Sequence, residues 1–176
     1  MTILSQPIED PKDPLCLTLA DVSRAHFYAK AEREVYIQLP REDPRSNDKD
    51  TCGRLLKTMY GTLDAADRWS EHYSGILMAH GFERGKASPC QFIHPAWGVR
   101  LIVHGDDFIM VTKRAGREKT LKVLQDHFEI KHNTAGPIQG MDKELRVLGR
   151  IATCHDWGWS LEVDFISLNL PLPRWG

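Results

Sequence analysis

This chain lacks a covalent or membrane framework. Its four cysteines, Cys16, Cys52, Cys90 and Cys154, are widely separated and form no Cys-x-x-Cys pair. That argues against a disulfide or zinc scaffold and predicts a reduced, intracellular chain, in cytoplasm or nucleus. No apolar run approaches the length that spans a bilayer. Met1 to Pro14 has neither a basic n-region nor an apolar h-region, so no signal peptide is expected. Charge of one sign is also missing. The net charge is −1, so any binding of nucleic acid must rely on local clusters. No internal repeat or low-complexity tract interrupts the chain. His80, His94, His127 and His132 have no metal-ligand spacing and read as surface or strand-packing residues.

What is present is an ordinary globular balance. Of 176 residues, 41% are apolar and 27% charged, enough for one domain or a piece of a larger one. The most informative stretch is Arg100-Leu-Ile-Val-His-Gly-Asp-Asp-Phe-Ile-Met110. Two β-prone apolar runs flank His104-Gly105-Asp106-Asp107, which predicts a tight hairpin with adjacent carboxylates at its tip. Gly105 can take the positive φ such a turn needs. Asp106 and Asp107 fit a solvated turn, or a site for a hard divalent cation such as magnesium or manganese. Leu15 to Ala20 reads as a strand ending at Asp21. A carboxylate there is costly to desolvate, which makes Asp21 a candidate metal ligand. Its alternative is an N-cap for residues 23–26.

Other elements follow from periodicity. Glu34 to Pro40 alternates Val35, Ile37 and Leu39 and predicts a short strand. Leu63 to Phe82 predicts the clearest helix, with Trp69, Tyr73, Ile76 and His80 recurring at helical spacing and Leu77 beside them. Arg114 to Phe128 predicts a second helix, Leu121, Leu124 and Phe128 inward and Arg117, Lys119 and Lys122 outward. Phe128 to His132 predicts a strand, 133–140 a loop, and Lys143 to Thr153 a strand paired with Trp157 to Val163. The layout is α+β, a mainly antiparallel sheet with helices packed on one face. Such a sheet could bring Asp21 to Asp106 and Asp107 as a two-metal site.

The motifs carry a resemblance. Asp21-Val-Ser-Arg-Ala-His-Phe27 and Glu34-Val-Tyr-Ile-Gln-Leu-Pro40 resemble segments of copia-type retrotransposon reverse transcriptases, read here as the palm region of a pol polyprotein. Tyr60-Gly61, Ala65-Ala66, Arg68-Trp69, Gly81-Phe82, Ser88-Pro-Cys-Gln-Phe92 and Leu148-Gly149 resemble further motifs of that family, in the same order. Val103-His-Gly-Asp-Asp107 stands where the family has Tyr-Val-Asp-Asp.

The resemblance implies a reverse-transcriptase palm-like domain over residues 15–164, after an irregular arm over 1–14 and before an unrelated apolar tail over 165–176. Fingers and thumb would be largely missing. Asp21, Asp106 and Asp107 would bind magnesium or manganese and catalyse nucleotidyl transfer to a primer 3′-hydroxyl. Val22, Arg24, Ala25, His26, Tyr60 and Gly61 would contact the incoming deoxynucleoside triphosphate. The partners would be an RNA or DNA template-primer and the remaining parts of a polyprotein, with no membrane. His26 departs from the family, which has an aromatic residue there to exclude the ribose 2′-hydroxyl. The alternative is a decayed remnant that keeps the palm fold without polymerase activity.

Overall fold

The computed structural model describes residues 12–164. Most of the expected N-terminal arm and the whole expected tail lie outside the described residues. In chain order, β1 is Cys16–Val22, β2 Tyr36–Ile37 and β3 Gly53–Arg54, followed by α1, Ala65–Ala79. Then come β4 (Glu83–Arg84), β5 (Gln91–His94), β6 (Val99–His104) and β7 (Asp107–Thr112). Last are α2 (Arg114–His127), β8 (Ile130–Ala135), β9 (Glu144–Val147), β10 (Arg150–His155) and β11 (Gly158–Val163). The described chain divides into two compact units, residues 12–23 with 80–164, and residues 24–79. Among the described residues no helix is long and apolar enough to cross a membrane.

The larger unit is built on a six-stranded antiparallel sheet in the order β4-β5-β6-β7-β1-β8. The first strand in sequence is therefore fifth of the six, between the second arm of the hairpin and the edge strand β8. Alternation gives each strand two faces. Thr18, Ala20 and Val22 of β1 share one face with Phe108 and Met110 of β7 and with Leu101 and Val103 of β6, all buried. Helix α2 covers this face. Its Gly116 lies so close that an added Cβ would stand 2.3 Å from Thr112 Oγ1 and 2.4 Å from the Trp97 carbonyl. The Phe128 ring just beyond α2 meets Phe108 at 6.4 Å between centroids. The first turn of α2 is held from a distance, since Asp13 Oδ1 accepts the Arg114 amide at 3.1 Å. A carboxylate suits that positive end of the helix.

The opposite face carries Leu17, Leu19, Ile109 and Val111. They pack with Leu145, Val147, Ala152, Trp159 and Leu161 of a three-stranded sheet, β11-β10-β9. Here the structure corrects the sequence reading. Lys143–Thr153 is not one strand but a hairpin, broken at Leu148 (φ 50°) and Gly149 (φ 68°). Two positive φ values in a two-residue loop are the geometry that matches strand twist. The strand expected at 128–132 runs instead from Ile130 to Ala135, so the loop after it starts later.

The smaller unit packs α1 against a 3₁₀ turn, Ala25–Tyr28. Trp69, Tyr73 and Leu77 are buried at helical spacing, as expected, with the Trp69 and Tyr73 rings 5.3 Å apart. Arg68 Nη1 pairs with Glu32 at 2.8 Å and Glu71 at 2.7 Å. The strand expected over Glu34 to Pro40 shrinks to Tyr36–Ile37, paired with Gly53–Arg54. Two residues on each side make a ribbon that depends on its surroundings for stability.

Candidate metal centre

Three backbone features bring the acidic residues together. The β1–β7 register sets Asp21 directly opposite Asp107. The β6–β7 register closes a two-residue turn over Gly105 and Asp106, with Gly105 at φ +63° in the first central position. A hydrogen bond of 3.0 Å from the Val22 amide to the Asp106 carbonyl then ties the turn to the end of β1. On the other side, the Ser23 amide donates to the Glu129 carbonyl at 2.9 Å. Asp21 is thus a strand residue. The N-cap position of the turn that follows belongs to Arg24, whose side chain makes no capping bond, so the N-cap alternative for Asp21 is corrected.

The result is a cluster in which one carboxylate oxygen from each of Asp21, Asp106 and Asp107 lies within 4.8 Å of the others. Like charges directly opposite in an antiparallel pair are destabilising. The Asp107 carboxyl shows it. Burial, then the neighbouring Asp106 and Asp21 charges, push its pKa above the ordinary carboxylate value, while His104 pulls the other way. A dense set of hard oxygen donors that repel one another fits a divalent cation such as magnesium or manganese.

Continuing the register outward gives one transverse row across the sheet. His104 lies opposite Asp107, Asp107 opposite Asp21, and Asp21 opposite Lys131 of β8. Paired residues share a face, so the row is His104, Asp107, Asp21, Lys131. Lys131 is exposed. Sequence reading missed its place, because alternation within β8 marks a strand but does not name the strand it pairs with.

Of the other expected site residues, Val22 belongs to this cluster through its amide. Arg24, Ala25, His26, Tyr60 and Gly61 belong to the smaller unit. There His26 and Tyr60 meet edge to face, 4.3 Å between ring centroids, and Phe27 stands 6.1 Å from Tyr60. The His26 carbonyl accepts from the Thr58 hydroxyl, and its ring Nδ1 is buried without a hydrogen-bond partner among the described residues. Arg24 adopts the left-handed conformation, φ 57° and ψ 41°, and Gly61 has φ +88°.

A family model described as reverse transcriptase (RNA-dependent DNA polymerase) matches residues 12–139. The truncated transposon Ty1-A Gag-Pol polyprotein of Saccharomyces cerevisiae is 28% identical over 117 residues, 65% of this chain and 9% of that protein. The Ty1-DR5 and Ty1-LR2 Gag-Pol polyproteins of the same yeast are also 28% identical over 117 residues, 6% of each. The chain spans less than a tenth of the length of these relatives.

Proposed function

We propose that this chain, which belongs to the reverse transcriptase (RNA-dependent DNA polymerase) family, provides the palm of a copia-type retrotransposon polymerase over residues 15–164. Asp21, Asp106 and Asp107 are the catalytic carboxylates in this reading. One observation carries it, the meeting of three acidic side chains from two separate strand ends within 4.8 Å. Bound magnesium or manganese would lower the pKa of the attacking primer 3′-hydroxyl and stabilise the leaving pyrophosphate. The chain's own contribution is positioning. Asp21 and Asp107 stand fixed by the ladder, and Asp106 is fixed by the Val22 amide. Donors held this way need no reorganisation when charge develops.

The backbone around Arg24 and Ala25 is assigned to the triphosphate of the incoming nucleotide, an anion-binding use of a strand-to-turn junction. His26, Tyr60 and Gly61 are assigned to its sugar and base. The partners are then a template-primer and deoxynucleoside triphosphates. The Gag-Pol relatives support a place within a polyprotein. The competing reading is a palm-shaped remnant without chemistry. It draws on the net charge of −1, which offers phosphate little attraction.

Primer extension on an RNA template separates the two. The proposal expects magnesium-dependent extension that falls about 100-fold or more in Asp106→Asn. Extension unchanged by that substitution would contradict it.

A further inference from the structure

The transverse row has a member that no part of the reaction above uses. Lys131 stands in register with Asp21 on the same face, one strand spacing away, on the side opposite Asp107. Neighbouring strands lie about 4.8 Å apart, a gap that the long lysine stem can bridge toward the acidic cluster. Lysine carries a compact, mobile charge on a flexible stem. It is exposed, and it can therefore lean toward the cluster or away from it. His104 stands at the other end of the row, beyond Asp107.

We infer that Lys131 is a built-in counter-ion of the carboxylate site, which neutralises part of its charge before a divalent cation arrives and so sets how tightly that cation is held. The inference rests on the metal-binding reading of Asp21, Asp106 and Asp107. Its physical content is competition. In the metal-free chain the lysine charge offsets the repulsion between Asp21 and Asp107. When a cation takes over that task, the lysine charge opposes it and keeps the affinity low enough for exchange. Lys131 is thus a positioning residue for the acidic site.

The test is a charge series in the whole chain, with manganese as the probe and affinity read by calorimetry. Lys131→Met should tighten manganese binding by about three- to tenfold, the size expected for removing one charge at this range in a solvated site. Lys131→Glu should tighten it further, and Lys131→Arg should stay within about twofold of the starting chain. All three differences should shrink at high salt. Thermal melting gives a second reading. Lys131→Met should melt lower than the parent without metal, and the gap should narrow at saturating manganese.

A flat series, or a melting deficit that metal leaves unchanged, would overturn the counter-ion role and leave the metal site standing. If the parent chain shows no manganese binding that Asp106→Asn removes, the metal reading fails, and this inference falls with it.

Discussion

Replacing Asp107 with asparagine is expected to weaken divalent-cation binding by about 100-fold or more, since losing a ligand costs more than losing a supporting contact. The same substitution should stabilise the metal-free chain. Asp107 faces Asp21 directly across the ladder and has Asp106 beside it, and asparagine removes one of the repelling charges at almost constant shape. The gain is expected at about 0.5 kcal/mol, in the lower part of the range for cross-strand charge pairs, because both carboxylates reach water. Opposite signs for binding and stability distinguish a site held against repulsion from a hydrogen-bonded acidic turn, in which asparagine would cost stability.

The pH dependence has a defined sign. The folded Asp107 carboxyl holds its proton more tightly than an unfolded one, whose pKa is near 3.8. Folding therefore takes up proton in the window between 3.8 and the raised value. Without metal, the stability contribution of Asp107 falls as pH rises through that window and is flat above it. Cation binding runs the other way. It needs the ionised carboxylate, so affinity drops as pH falls through the same window. In Asp107→Asn both slopes should be reduced, which urea melts and manganese titrations at several pH values would show.

The second large effect lies behind the carboxylates. Phe108→Ala is expected to cost about 3–5 kcal/mol, a large share of the roughly 5–15 kcal/mol that holds a domain together. Phe108 is fully buried, opposite Ala20 on one side and Val103 on the other, with Phe128 at 6.4 Å. The preceding residue is Asp107, reversed to the other face, so the cavity opens directly beneath the acidic row. In whatever fraction stays folded, manganese affinity should fall as well, since the ladder that fixes Asp107 loses its backing. Phe27→Ala, at a ring 44% exposed, should shift the denaturation midpoint far less. A denaturant midpoint for each variant checks the pair.

Much of this arrangement could be read from the chain. The two helices were legible because their signal is local. Trp69, Tyr73 and Leu77, and then Leu121, Leu124 and Phe128, repeat at helical spacing and are buried. The β6–β7 hairpin was legible because Gly105 punctuates two apolar runs. The meeting of Asp21 with Asp106 and Asp107 was expected from the strand-end position of Asp21 and from the family motifs.

Register was not legible. Nothing in Ile130 to Ala135 says that it pairs with β1, and so nothing marks Lys131 as the neighbour of Asp21. The break at Leu148 was hidden from the residue pattern for a different reason, although the resemblance sets Leu148-Gly149 in the primer-grip hairpin of the family. Leucine rarely adopts a positive φ, and Lys143 to Thr153 shows no strong breaker before Gly149. The Glu34 to Pro40 segment failed in the other direction. Its alternation of Val35, Ile37 and Leu39 is real in burial, yet only Tyr36 and Ile37 find a partner strand. Alternation reports the environment of side chains, while a strand needs a neighbour to bond with.

The most direct test of the central claim is manganese added in small amounts to the isotopically labelled chain, watched by amide NMR. The carboxylate cluster predicts selective paramagnetic broadening at Asp21, Val22, Asp106 and Asp107, removed by Asp106→Asn. Broadening centred elsewhere, for instance on the acidic loop around Asp43 and Asp48, or none at all in a folded chain, would contradict a metal-binding catalytic centre at these residues.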